Sequence, residues 1–494
     1  MRRILFWLPA ILTIVWTLFD SRFRDLEGIP TGAICLPISL GAALIVLGAA
    51  WGTRWRKAAF WFVLALAGQA VALQMIDAGT QIHYQHYRSP GWLAAHQAWL
   101  LLFLGLQTVL VLAGLRGRWR PVWRWLSRHF RWWQLGGVAL AFVLTAATVS
   151  EDVRFYLTEL VFAALVQSVA LGNIVLLGWS IPGEALPSLR ARLARWFGQT
   201  GGPDWLALGA ALWVTIAAAL LSWFSYERHP HIPDEVVYLF HARYFAEGKL
   251  TLPAPPVPAA FDIDLMNYED GYWFCPVPPG WPAVLALGVL AGVPWLVNPL
   301  LGGINMLLAF LLLRELYGPP VARLALLLLA TSPWHVLMAM NFMTHTLTLT
   351  CALGAAVAVV WARKTGKALW GVASGLAAGG ALLVRPLEGF TLGCLIGLWM
   401  LAGAGTLRWK AASLAAFAAG GMLLGVPTLY YNQLLTGDPL KFPIMAYTDK
   451  YYGPNSNALG FGPDRGLGWA IDPNPGHSPF DAMVNANLNM FSIN

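Results

Sequence analysis

From residue 4 to residue 430 the sequence is a succession of uncharged apolar windows, and no other feature constrains the fold as much. They fall near 4–19, 31–51, 58–76, 93–115, 133–149, 155–179, 205–224, 298–313, 324–342, 346–361, 368–384, 389–403 and 411–430. A bilayer core about 30 Å thick takes an apolar helix of about 20 residues, so the windows predict an all-α polytopic membrane protein of about thirteen helices. Only 11% of the residues are charged and 58% are apolar. Soluble domains carry about 25% charged residues, so a soluble enzyme and a disordered chain are both excluded. Four Cys (Cys35, Cys275, Cys351 and Cys394) sit in apolar sequence and do not read as a disulfide scaffold. The Met-Arg-Arg start and the window 4–19 resemble a secretory signal. With no small-x-small site before Asp20, they read as an uncleaved first helix.

The basic residues sort onto one side of these windows. With Arg2 and Arg3 inside, alternation puts Arg54/Arg56/Lys57, Arg116 through Arg131, Arg190/Arg192/Arg195, Arg314 to Arg323, Arg363/Lys364/Lys367 and Arg408/Lys410 on the cytoplasmic face. The net charge of +8 is therefore a statement of orientation, and no nucleic-acid partner is implied. The opposite face receives 77–92, 150–154, 225–280 and 431–494. Segment 281–298, interrupted by Gly288, Gly292 and Pro294, reads as a helix lying at the outer interface; as a full span it would turn Arg363, Lys364 and Lys367 outward. Between Pro182 and Gln199, Leu186, Leu189, Leu193 and Phe197 alternate with Arg190, Arg192 and Arg195, the pattern of an interfacial amphipathic helix. No internal repeat suggests two inverted transporter halves.

Chemistry is expected in the outer loop 225–280. Asp234 and Glu235 follow an uncharged span directly, which puts two adjacent carboxylates at the membrane surface. Two readings stand for them: a general base on an acceptor hydroxyl, and carboxylates at the N-terminus of a helix from Val236 to Glu247 that Gly248 ends. His229 and His231 with Asp234 are a weak metal-site candidate against surface histidines flanking prolines, and the site expectation includes no metal. Asp262, Asp264, Glu269 and Asp270 read as a solvated acidic loop, and 253–258 as a Pro-rich linker.

The run from Ile232-Pro-Asp-Glu-Val-Val-Tyr to Lys249-Leu, then Gly271-Tyr-Trp-Phe-Cys-Pro-Val-Pro-Pro-Gly-Trp-Pro, then Asn298-Pro-Leu-Leu-Gly-Gly to Arg314-Glu-Leu-Tyr-Gly, resembles the GT-C superfamily. The likeness is to bacterial relatives of the protein O-mannosyltransferases and the aminoarabinose-lipid A transferases. It runs from about Trp205 to Tyr430, more weakly into the tail. The resemblance implies a GT-C transmembrane bundle with outer-face loops and a juxtamembrane helix. It implies a glycosyltransferase (EC 2.4 type) in a bacterial inner membrane that moves a sugar from a polyprenyl-phosphate donor to an acceptor hydroxyl on the periplasmic or extracellular side. The acceptor is a glycan, a lipid or a protein, and membrane lipid is the surrounding partner. Asp234 matches the family's general base and Glu235 its supporting neighbour. Tyr238, His231 and His477 are carried as acceptor or substrate-cleft residues.

Arg385, in Leu383-Val-Arg-Pro-Leu-Glu at the outer end of a span, matches an Arg-Pro common in the family. It is read as a donor-phosphate contact, beside a structural pair with Glu388 or simple snorkelling. Arg243 and His345 join it as phosphate candidates; His345 reads equally as a polar residue between helices. Relatives often carry a Lys before the Pro-Pro turn, where this chain has Cys275-Pro276-Val277; Arg243, Lys249 and Arg228 are the substitutes on offer. The expected organisation is an N-terminal membrane module of about six helices (1–181), a cytoplasmic linker (182–204), a catalytic core (205–430) and an outer-face tail (431–494) that ends abruptly for such a fold. Two rivals stay open: a transporter or flippase of a lipid-linked sugar, and an inactive GT-C-like scaffold.

Overall fold

The computed structural model describes residues 4–25, 28, 31–77, 86–148, 153–184, 187, 191, 203–261, 263–402, 405–466 and 476–493. The expected amphipathic helix over 182–199 lies almost wholly outside them, as does Asp262. The chain is an all-α polytopic membrane protein that divides into two compact units, residues 1–190 with 459–494, and residues 191–458.

The first unit begins with the helix pair α1 (Ile4–Phe19) and α2 (Cys35–Ala50), followed by α3 (Arg56–Gln74). A short hairpin of β1 (Ile76–Asp77) and β2 (His86–Tyr87) pairs Ile76 with Tyr87 and Asp77 with His86. Then come α4 (Pro90–His96), α5 (Ala98–Leu115), α6 (Trp119–His129), α7 (Trp132–Leu144) and α8 (Val153–Ser180). Its core joins Met75, Leu93, Leu100, Val166 and Leu176 to Phe491 of the helix Pro479–Ile493. Inside it, Asn173 is fully buried and spends its amide on the carbonyl of Trp61 (2.7 Å) and on Gln107 (3.4 Å), which satisfies polar groups that lipid could not.

The second unit holds the outer loop. Asp204 caps α9 (Trp205–Phe224) by accepting the Ala207 N–H and pairs with Arg323 at 2.7 Å. After α9 come α10 (Pro233–Ala246), the strands β3 (Leu252–Pro253), β4 (Asn267–Glu269) and β5 (Tyr272–Phe274), α11 (Gly280–Leu290) and α12 (Val297–Tyr317). Next are α13 (Pro319–Ala330), α14 (Pro333–Met340), α15 (His345–Thr365), α16 (Trp370–Val384), α17 (Pro386–Ala402), α18 (Leu407–Thr436) and α19 (Pro443–Tyr451). Helix α10 packs on α11, α12 bridges α9 and α15, and α16 is flanked by α15, α17 and α18.

Three expectations change. The carboxylates of Asp264, Glu269 and Asp270 are exposed as expected, but 267–269 is a strand, part of an antiparallel three-stranded sheet of order β3-β5-β4 in which Trp273 of β5 pairs with Leu252 and Tyr268. The window 324–342 is no single span: α13 and α14 meet at a 61° bend, because Pro333 cannot continue a helix and Ser332 before it is extended. Among the described residues seven helices are long and apolar enough to cross a membrane, or eight if the bent pair is one span, against the thirteen windows. The windows 4–19, 31–51, 133–149, 368–384 and 389–403 are matched by helices of 10–17 residues. At about 1.5 Å per residue a 16-residue helix is about 24 Å long, short of a bilayer core. Segment 281–298 holds the short helix α11, which ends before Gly292 (φ +74°), and α12 begins at Val297.

Helices α16 and α18 approach through glycine. Gly371, Gly375 and Gly379 repeat every fourth residue along α16 and face Phe417, Gly420 and Gly421 of α18, so closely that a methyl on Gly375 would meet the Phe417 carbonyl. In lipid, where no hydrophobic force drives helices together, such small-residue stripes supply the packing.

Candidate active site

Pro233 suits the first position of α10 because its missing N–H is one that a helix start leaves unbonded, and its ring presets the helical φ. Asp234 and Glu235 follow within the first turn, and their environments are opposite. Glu235 is fully buried. Its Oε1 accepts the Phe342 N–H (3.2 Å), its Oε2 accepts the His231 N–H (3.1 Å), and the Tyr226 hydroxyl lies 3.0 Å from both oxygens. Beside this carboxylate, burial first and the Glu235 charge second push the Tyr226 phenol well up. Asp234 is half-exposed, makes no hydrogen bond or ion pair among the described residues, and does not cap the helix; the capping position is Ile232, with no side-chain bond. Of the two carboxylates, Glu235 is a structural anchor and Asp234 is uncommitted.

Glu235 anchors α10 to the turn 341–344, which is itself pinned from below. Asn298, at the start of α12, donates to the carbonyls of Asn341 (2.7 Å) and Met343 (2.9 Å), and Trp281 of α11 donates to Phe342 O (2.7 Å). The turn delivers Thr344 and His345. Arg385 donates to Thr344 Oγ1 (3.3 Å) and is paired with Glu388 through Nε (2.7 Å) and Nη2 (2.5 Å). Tyr238, one turn along α10 from Asp234, lies close to Thr344. Its phenol is pushed up to about 12, by burial first and then by the Asp234 charge, while the Arg385 charge pulls it down. These residues form a chain of neighbours: Tyr238 feels the charges of both Asp234 and Arg385, and Arg385 touches Thr344 and acts on His345.

Arg385 is held in a corner. Helix α16 ends at Val384, Arg385 is extended (φ −144°, ψ 92°), and Pro386 opens α17. The corner is tight enough that Gly389 admits no side chain against Leu382. An apolar groove of about 1060 Å³ starts beside it, running from Leu382, Gly389 and Phe390 between α16, α17 and α18.

Arg243 is exposed and nine residues from Asp234, half a turn round the helix, on the face away from the cluster. Lys249 is paired with Glu247 (2.6 Å), and Arg228 lies over the Trp223 ring (4.1 Å). His231 turns its Nε2 to the Tyr226 carbonyl (3.1 Å) and stacks on His229 (4.8 Å), so this ring nitrogen does not face Asp234. Among the described residues no group of three or more His, Cys, Asp or Glu side chains is placed to hold a metal. His477 belongs to the first unit, bridged to Gly462 and stacked on Phe461 at 5.5 Å. Where relatives often carry Lys, the Cys275 thiol is buried against Val237 and Met266, its pKa pushed up by burial. Thr344, Phe342 and Tyr226 were missed as site residues. Asn341-Phe-Met-Thr-His drew notice only for its histidine, and contacts between distant positions leave no local signal.

Residues 283–431, under a third of the chain, match the family described as dolichyl-phosphate-mannose-protein mannosyltransferase. The matched stretch includes the turn 341–344, His345 and Arg385, but not Asp234. No curated protein and no solved structure matches the chain.

Proposed function

We propose that the chain transfers a sugar from a polyprenyl-phosphate donor to an acceptor hydroxyl at the membrane surface, on the side of the outer loop. The observation that carries this reading is the contrast between the adjacent carboxylates: Glu235 is taken up by three donors, while Asp234 is half-exposed, without a partner among the described residues, and one turn from Tyr238, which feels the Arg385 charge.

In the proposed reaction Asp234 accepts the proton of the acceptor hydroxyl as its oxygen attacks the anomeric carbon. The bond from that carbon to the phosphate oxygen breaks, and polyprenyl phosphate leaves with the bonding pair. Arg385, fixed by Thr344 and Glu388, offers its guanidinium to the phosphate and offsets the charge that builds on the leaving oxygen. The apolar groove beside Arg385 suits the prenyl chain. His345 stands next to Arg385 as a second contact for the donor head.

Asp234→Asn tests the reading. A general base contributes about 10²- to 10⁴-fold, so transfer from polyprenyl-phosphate mannose, glucose or arabinose should fall by that factor while donor binding persists. Full transfer by the variant sinks the assignment of the base. Absence of sugar release from any such donor by the unaltered protein favours the transporter.

A further inference from the structure

Helix α6 connects α5, a candidate span, to the apolar α7, and none of its residues is buried. Projected at about 100° per residue, Trp119, Val122, Trp123 and Leu126 occupy one arc, while Arg120, Arg124, Ser127 and Arg128 occupy the facing arc. Trp119 and Trp123 are 63% and 53% exposed. Arg120, Arg124 and Arg128 follow one another at intervals of four, so they form a row on one face. None of them makes an ion pair among the described residues, and the sequence between Asp77 and Glu151 contains no acidic residue to neutralise them. Arg116, Arg118 and Arg131 extend the same positive field at its two ends.

Bare tryptophan is unfavourable in water and bare arginine is unfavourable in hydrocarbon; the head-group layer suits both. The arginine row alone would suit any polyanion. The tryptophan face opposite it selects a lipid surface, and the uncompensated charge selects anionic lipid.

We propose that α6 is a binding site for anionic phospholipid. Its Trp119–Trp123 face enters the leaflet on the arginine-rich side of the protein, and the Arg120, Arg124, Arg128 row holds the phosphodiesters of lipids such as phosphatidylglycerol. Guanidinium forks spaced one helical turn apart engage neighbouring phosphate oxygens two at a time.

The test is native mass spectrometry of the full-length protein with equal amounts of dioleoyl phosphatidylglycerol and dioleoyl phosphatidylcholine. Phosphatidylglycerol adducts should exceed phosphatidylcholine adducts, and the excess should shrink as salt rises. The triple variant Arg120→Gln, Arg124→Gln, Arg128→Gln should reduce the excess roughly tenfold or more, with phosphatidylcholine adducts unchanged. The single variant Arg124→Gln, the smallest perturbation of the fold, should reduce it severalfold. The pair Arg408→Gln, Lys410→Gln, which removes charge elsewhere, should leave it intact. Equal adducts of the two lipids on the unaltered protein, or an undiminished excess in the triple variant, overturns the proposal. So does an equal loss in the Arg408, Lys410 control.

Discussion

Glu235 Oε1 accepts the backbone N–H of Phe342 at 3.2 Å, across 107 positions of sequence. The bond fastens the first turn of α10 to the turn that delivers Thr344, and Thr344 in turn receives a hydrogen bond from Arg385. The spatial relation between the uncommitted Asp234 and the Arg385 guanidinium is thus set by a carboxylate that itself touches neither.

Glu235→Gln is isosteric but cannot satisfy its site. Two backbone N–H groups, of His231 and Phe342, point at the two oxygens, so an amide must turn its NH₂ against one of them. The expected cost is about 1–3 kcal/mol of stability, from one buried donor left unpaired. Asp234→Asn removes no partner and should leave the unfolding midpoint where it is. Thermal unfolding of both variants in detergent checks this, and equal destabilisation would contradict the division of roles.

Thr344→Val takes from Arg385 its Nη1 partner at 3.3 Å while leaving the Glu388 pair in place. The guanidinium then pivots about Glu388, and the KM for the donor should rise severalfold with a smaller change in kcat. Arg385→Lys keeps the charge and loses the fork, so kcat/KM should fall roughly 10- to 100-fold, the range expected when a charge-assisted bond is lost. Steady-state kinetics with varied donor separates the two. A larger kcat effect than KM effect for Thr344→Val would point to a role in the chemical step.

Much of the scaffold was legible because lipid imposes a simple rule: a helix that meets hydrocarbon must be apolar, and its flanks carry the charge. Asp234 and Arg385 stood out for the same reason, as ionisable groups at the ends of uncharged segments. The roles of Asp234 and Glu235 could not be told apart, since they depend on Phe342 and Tyr226, which reach Glu235 only after folding. Strands β3 to β5 span only two or three residues each, too few for an alternating pattern to emerge. The α13–α14 bend was readable from Ser332-Pro333, but an apolar window hides a proline when only charge is scanned.

Gly375→Ala should splay α16 from α18, because the new methyl meets the Phe417 carbonyl, a backbone atom that cannot rotate aside. Overpacking of this kind costs about 1–3 kcal/mol. Both helices wall the apolar groove, so transfer from long-chain donors should also change, whereas Gly209→Ala, in α9 with open space around it and no part in the groove lining, should be silent in both respects. The unfolding midpoint and donor-length dependence are the measurements; an unchanged midpoint for Gly375→Ala would mean the helices slide apart without cost.

His241 supplies the clearest pH dependence. It is fully buried in α10, stacked on Tyr244 (4.8 Å) and against Phe245 (4.2 Å), with Tyr431 3.5 Å from its Nε2 and no partner for Nδ1 among the described residues. Burial pulls its pKa down to about 3, so the folded protein keeps it neutral while the unfolded chain protonates near 6.5. A depressed folded pKa gives a contribution that is whole above about pH 6.5. Below that the unfolded state binds the extra proton, and about 1.4 kcal/mol is lost per pH unit until the folded pKa is reached. His241→Phe places a ring of similar shape among the same aromatics and removes the titration. Comparing unfolding midpoints of the unaltered protein and the variant from pH 7.5 to pH 4, the gap should move steadily in favour of the variant as pH falls below 6.5. A constant gap over that range would mean that His241 is solvated or already protonated in the folded protein, contrary to its burial.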